Sequence, residues 1–67
     1  MELDCRGLSC PEPVVLTKRE VKSNPTELDV LVDHVAGLEN VSRFLRTMGY
    51  NVTVTEGNSQ WRIKAKK

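Results

Sequence analysis

The sequence predicts an α+β fold, a two-layer α/β sandwich in which two helices cover one face of a four-stranded mixed sheet. Patterns typical of strands and helices alternate along the first two thirds of the chain, and two strand patterns separated by a short turn close it. The length of 67 residues allows one small domain, so we expect a single domain over 1–67.

The first strand and first helix are predicted from short local signals. Leu3 and Cys5 alternate with polar neighbours, which indicates a short strand with one buried face. We expect the first helix to begin at Pro11, because proline fits the first helical turn. It should run to about Ser23, since the following Asn24-Pro25 pair stops a helix.

The second half of the chain predicts one more helix and three strands. Apolar residues at helical spacing indicate a helix over 36–48 that Gly49 ends. Its buried stripe should contain Leu38, Val41, Phe44, Leu45 and Met48. Strands are expected over 28–33, 51–55 and 60–65, with a turn over 56–59.

Connection rules then give the sheet order. Right-handed crossovers make the first three strands parallel, and the closing hairpin makes the fourth antiparallel to the third. The fourth strand most simply fills the slot between the second and third, so the predicted order is 1-2-4-3. Trp61, Ile63 and Ala65 should face the helices, while Arg62 and Lys64 face the other side.

Composition excludes several classes of protein. A formal charge of +1 is too small for binding nucleic acid by bulk electrostatics, so no direct nucleic-acid partner is expected. Uninterrupted apolar runs such as 14–16 are too short to span a membrane. No signal-peptide pattern begins the chain, and two cysteines do not make a disulfide framework, so we expect a cytoplasmic protein.

Cys10 is the candidate nucleophile, because it lies at or next to the N-cap of the predicted first helix. The positive end of the helix dipole should lower the pKa of its thiol. Pro11 and Pro13 have no N–H group, so only Glu12 and Val14 can donate in the first turn. We expect a stabilised thiolate that stays nucleophilic and suits reversible transfer. The alternative is a small buried cysteine with no chemical role.

The segment 3–13, Leu-Asp-Cys-Arg-Gly-Leu-Ser-Cys-Pro-Glu-Pro, resembles the signature of the TusA/SirA/YedF family of small sulfur-carrier proteins. That signature combines a Leu-Asp pair, a Gly-Leu pair and Cys-Pro-x-Pro at the start of the first helix. The resemblance covers essentially the whole chain. Later segments, from Val32-Asp33 to Gly49-Tyr50, are most similar to the N-terminal domain of YedF proteins, which usually continue into a second domain.

The resemblance implies that Cys10 accepts a persulfide and passes its sulfur to another protein. The implied partners are a cysteine desulfurase or rhodanese-like sulfur donor and a downstream sulfur acceptor. The pathway would be tRNA thiolation or sulfur or selenium metabolism. Such a carrier needs no cofactor or metal and has no turnover of its own. The supporting motif residues are Asp4, Gly7, Leu8, Pro11, Glu12 and Pro13.

Neighbouring residues have two interpretations each. Cys5 is either a core residue or a resolving thiol, which needs a Cα separation from Cys10 within about 7 Å. Asp4 either orients the loop by accepting backbone N–H groups or meets a partner. Arg6 is either solvated or attracts the thiolate. His34 could approach the thiolate or simply be solvated; a metal site formed with the two cysteines matches no zinc pattern.

Two other functions stay open from the residues alone. The chain could be a binding or regulatory module for RNA or protein, in which Cys10 is only a helix cap. Its basic strand and tail, Arg62 with Lys64, Lys66 and Lys67, would then carry the function or dock an acidic partner. Otherwise these charges only protect a strand edge. A thiol-disulfide oxidoreductase is the third reading, but its usual two-residue cysteine spacing is absent.

Overall fold

A computed structural model describes residues 2–8 and 12–67 and has the predicted sheet order, β1-β2-β4-β3. Strand β1 is parallel to β2, while β4 is antiparallel to both β2 and β3. The elements are β1 (Glu2–Asp4), α1 (Glu12–Val21), β2 (Glu27–Val32), α2 (Val35–Thr47), β3 (Asn51–Gly57) and β4 (Gln60–Lys66).

Helix α1 ends at Val21, two residues before the predicted end. The backbone N–H of Asn24 donates to the Val21 carbonyl at 2.8 Å, and Asn24 has a φ of 55°. Asparagine tolerates this left-handed conformation better than most residues, so Asn24 turns the chain before Pro25 is reached. The predicted start at Pro11 lies outside the described residues. Strand β2 and helix α2 each begin and end one residue earlier than predicted.

The hairpin between β3 and β4 is tighter than the predicted turn over 56–59. Glu56 pairs with Trp61 and Gly57 with Gln60, so the strands continue through residues assigned to the turn. Only Asn58 and Ser59 remain outside the ladder, and Ser59 has a φ of 58°. A two-residue connection of this kind needs a residue with positive φ, and here a serine supplies it.

The core lies between the helices and one face of the sheet. The predicted apolar face of β4 is confirmed, because Ile63 and Ala65 are fully buried and Trp61 packs against the core. The stripe on α2 is confirmed except at Met48, which follows the end of the helix and is 45% exposed. The other fully or nearly fully buried aliphatic residues of the core are Leu28, Val30, Val32, Val41 and Leu45.

Gly49 ends α2 as predicted. Its φ of 92° lets its own N–H donate to Arg46 and the N–H of Tyr50 donate to Leu45, each at 3.0 Å. The Tyr50 hydroxyl donates to the Pro25 carbonyl at 2.7 Å. This bond ties the end of α2 to the loop that precedes β2.

The face of the sheet opposite the helices is covered by charged side chains. Arg62 bridges Glu2 at 2.7 Å and Asp29 at 3.0 Å, and Lys66 lies 3.5 Å from Glu27. Strands β1 and β2 supply the acidic groups and β4 the basic ones.

In the part of the chain that the structure describes, no helix is long and apolar enough to cross a membrane.

Candidate functional site

The candidate site lies on the loop that joins β1 to α1, at the edge of the sheet where β1 and β2 end. Cys10 itself lies outside the described residues, and so does the predicted N-cap at the start of α1. The residues on both sides of it, 5–8 and 12–13, are described and define how the loop leaves the sheet. Because β1 and β2 are parallel, His34 after β2 lies at this edge, as the topology predicts.

The loop is held to the sheet at its beginning. The backbone N–H of Cys5 donates to the Leu31 carbonyl at 2.8 Å, and the N–H of Leu8 turns back to the Cys5 carbonyl at 3.3 Å. Gly7 has a positive φ of 80°, a conformation that glycine adopts without steric cost. Its N–H donates to Asp33 Oδ2 at 2.9 Å, across 26 residues of sequence. The first half of the loop is therefore fixed by backbone geometry and one long-range carboxylate.

Asp33 is a site residue for which the sequence analysis assigned no role. It lies directly after β2, and its second oxygen, Oδ1, is buried without a hydrogen-bond partner within residues 2–8 and 12–67. The available signal was an acidic residue immediately following an apolar strand, at the edge predicted to carry Cys10. A carboxylate in such a place usually binds a backbone N–H group or a ligand.

Asp4 and Arg6 form an ion pair within the loop. Asp4 Oδ1 accepts the backbone N–H of Arg6 at 3.1 Å, and the Arg6 guanidinium donates to both carboxylate oxygens at 2.9 and 2.8 Å. The hydrogen bonds from Arg6 lower the pKa of Asp4 from 3.8 to about 2. This geometry matches the loop-orienting interpretation of Asp4, and it directs the Arg6 charge toward Asp4.

Cys5 lies in the core with 1% of its surface exposed. Burial, and secondarily the charge of Asp4, raises the pKa of its thiol above the usual value of 9.0. The thiol therefore stays protonated and shielded at neutral pH, as expected for a core cysteine. Its proposed part as a resolving thiol depends on a distance to Cys10, which lies outside the described residues, and stays a prediction.

The end of the loop is held by the buried Pro13 in the first turn of α1. Thr17, fully buried, donates its hydroxyl to the Pro13 carbonyl at 2.7 Å. A methyl group placed on Gly37 would lie 3.7 Å from the Pro13 ring, so the beginnings of α1 and α2 are close together. The positive ends of two helix dipoles thus lie close together at this edge of the sheet.

A small cavity of about 90 Å³ separates the two helix ends. His34 contributes to its wall as the N-cap of α2, and its exposed side chain makes no capping hydrogen bond. The other wall residues are Leu8, Pro13, Val32, Asp33, Ala36 and Gly37. The cavity is too small for a drug-sized ligand, which needs about 300 Å³ or more. The site therefore suits chemistry at the surface.

One feature singled out in the sequence, the basic tail, lies away from the loop. The basic tail is at the opposite edge of the sheet, because Lys66 pairs with Glu27 at the start of β2, while the loop lies beyond its end. Lys67 donates to Asn24 at 2.6 Å and lies over the Tyr50 ring. Within residues 2–8 and 12–67, no group of three His, Cys, Asp or Glu side chains could hold a metal ion.

A two-layer βαβαββ sandwich with a cysteine-bearing loop before its first helix defines a class of small, single-sheet proteins. The family model described as sulfurtransferase TusA matches residues 1–67. The chain belongs to this family.

Individual relatives agree with that assignment. A protein of Methanocaldococcus jannaschii is 39% identical over 69 residues, covering 98% of this chain and 92% of the relative. A protein of Thermotoga maritima is 37% identical over 68 residues, covering 96% of this chain and 86% of the relative. Both are named as candidate sulfur carrier proteins. The crystal structure of a SirA-like protein from Desulfitobacterium hafniense superposes with a TM-score of 0.85. It is 23% identical, covers 97% of this chain and 93% of its own, and shows the same fold.

Proposed function

We propose that this protein is a sulfur carrier that accepts a persulfide on Cys10 and passes the outer sulfur to an acceptor protein. The observation that carries the proposal is the pairing of family membership with the position of the two cysteines. Cys5 is buried in the core with a raised thiol pKa, so Cys10 in the Cys-Pro-x-Pro motif is the thiol left for transfer.

The transfer needs no external oxidant or reductant. The Cys10 thiolate attacks the outer sulfur of a donor persulfide, the donor S–S bond breaks, and the donor thiolate leaves with the electron pair. A thiolate of the acceptor then attacks the outer sulfur on Cys10, and Cys10 leaves as a thiolate. Each step exchanges one S–S bond for another, so the protein returns to its starting state.

The surroundings of the loop favour this chemistry. Two helix beginnings stabilise an anionic sulfur, while the exposed Glu12 and the half-buried Asp33 oppose that effect. Together these opposing charges keep the Cys10 thiolate stable enough to be a good leaving group and still reactive as a nucleophile. A shallow cavity in place of a deep pocket lets large protein partners approach in turn.

The partners we propose are a cysteine desulfurase or rhodanese-like protein as donor and a downstream sulfur-accepting protein. The destination is tRNA thiolation or sulfur or selenium metabolism, and the carrier works in the cytoplasm. The protein serves as a transferase subunit without turnover of its own. A binding module built on β4 has less support, because Arg62 and Lys66 already pair with acidic groups of the same sheet.

Intact mass measured after incubation with a cysteine desulfurase and cysteine tests the proposal. We expect a gain of about 32 Da, one sulfur atom, that a thiol reductant removes. Cys10→Ser should abolish the gain, and the matched variant Cys5→Ala should keep it. A folded wild-type protein that gains no sulfur from a cysteine desulfurase or from a rhodanese-like donor would contradict the proposal.

A further inference from the structure

We propose that Asp33 is a positioning residue for Cys10, anchoring the loop through Gly7 and placing a negative charge beside the site. This inference rests on Cys10 being the reactive thiol of the proposed function. Asp33 is distant in sequence from the motif and directly follows a different strand, β2. Its role is to fix where the sulfur is presented and to limit how strongly the anion is held.

The anchoring begins with the Gly7 hydrogen bond. Gly7 has a φ of 80°, a conformation that glycine enters and leaves easily. The bond of 2.9 Å from its N–H to Asp33 Oδ2 selects one of these conformations. Since β2 is an interior strand paired on both sides, Asp33 directly follows a strand that is held by two neighbours.

Chain connectivity carries this restraint to Cys10. Gly7 precedes Cys10 by three residues and Pro13 follows it by three, so the two anchored residues bracket the cysteine in the sequence. Pro13 is fixed by burial and Gly7 by Asp33. Releasing Gly7 would leave the segment held firmly at one end only. The first anchor of this segment is therefore supplied by a residue more than twenty positions away in sequence.

The second carboxylate oxygen indicates that anchoring is not the whole role. A neutral amide oxygen would also accept the Gly7 N–H, yet the carboxylate leaves Oδ1 buried and without a partner among the described residues. Its negative charge opposes the two helix ends and should raise the pKa of a nearby thiol. The other titratable groups around the loop are Asp4, Arg6, Glu12 and His34. These four residues are the same in the wild-type protein and in the Asp33 variants.

Two substitutions distinguish the effect of the hydrogen bond to Gly7 from the effect of the negative charge of Asp33. Asp33→Asn keeps an oxygen for the Gly7 N–H and removes the charge, whereas Asp33→Ala removes both. The readouts are the pH dependence of Cys10 alkylation by iodoacetamide, measured in a Cys5→Ala background, and the initial rate of sulfur loading. Asp29→Asn is the matched control, because it removes a charge from the same strand on the face that pairs with Arg62.

For Asp33→Asn we expect loading within about twofold of wild type and an alkylation midpoint about half a pH unit lower. For Asp33→Ala we expect a folded protein whose rate of sulfur loading is reduced about tenfold, because the loop loses its orientation. The Asn variant keeps that orientation and should therefore keep the loading rate. Asp29→Asn should match wild type in both readouts.

An unchanged alkylation midpoint in Asp33→Asn, or equal loading by Asp33→Ala and wild type, overturns the inference. So does an Asn variant as slow as the Ala variant, because Asn supplies the same acceptor. If Asp33→Ala does not fold, the Asn midpoint decides. If no protein loads sulfur but the midpoint falls as expected, the proposed function fails while the assignment of Asp33 to Cys10 stands.

Discussion

Protonation of one carboxyl group, that of Asp4, should disturb the loop before the first helix. Its pKa is lowered from 3.8 to about 2 by hydrogen bonds from Arg6. A group with a lowered folded-state pKa stabilises the protein above its unfolded pKa and loses that contribution as pH falls through the folded value. The loop geometry should therefore persist at pH 4 and be lost as the pH approaches about 2.

Titration of the Asp4 carboxyl carbon by NMR tests this expectation. We expect a midpoint near 2 in the wild-type protein and a midpoint near 3.8 in Arg6→Gln, which cannot form the ion pair. The Arg62→Gln variant removes an arginine from the sheet face and should leave Asp4 unchanged. A wild-type midpoint already near 3.8 would show that the ion pair does not form in solution.

The two cysteines should differ sharply in reactivity. Cys5 is 1% exposed and its thiol pKa is raised by burial, so it should react only when the protein unfolds. We expect one thiol per chain to react rapidly with a disulfide reagent at pH 8, and the second only in denaturant. The folded Cys10→Ser protein should show no rapid phase. Rapid reaction of Cys5 in that variant would place it outside the core and revive the resolving role.

At the scale of elements, the hairpin between β3 and β4 stores a small strain at Ser59. A side chain at a φ of 58° is disfavoured, and glycine would remove that cost. Ser59→Gly should raise the free energy of unfolding by about 0.5–1 kcal/mol. Urea denaturation measures the change. Asn58→Gly is the matched control, because Asn58 does not share the positive φ, and equal effects of the two changes would contradict the argument.

The elements could be predicted because their signals are local. Periodicity marked both helices, and crossover rules with a closing hairpin gave the sheet order. The errors lie where the backbone conformation of one residue decides where a helix or a strand ends. Asn24 turns the chain before Pro25, and Ser59 closes a hairpin that is tighter than the predicted turn over 56–59. Asparagine tolerates a positive φ without requiring one, and serine rarely adopts it, so these ends required the structure.

At the scale of the whole molecule, the site could be predicted only in part. The motif indicated Cys10, which stays a prediction, and the parallel pairing of β1 and β2 brings His34 to the edge where the loop leaves β1. The bond between Gly7 and Asp33 joins residues 26 apart, and no short motif contains both. For the basic tail, the sequence left docking and protection of a strand edge both open, and the fold places the tail at the far edge of the sheet from the loop.

The short edge strand β1 has a consequence for hydrogen exchange. Only three residues form it, and its backbone ladder is made with β2 alone, whereas β2 and β4 are each paired on both sides. Its amides should therefore exchange through local opening, at a lower free energy than those of Ile63 and its neighbours in β4. Exchange of both strands at one common rate in mild denaturant would contradict this. Because β1 leads directly into the Cys10 loop, such opening would let the loop adapt to successive partners while the remaining three strands stay folded.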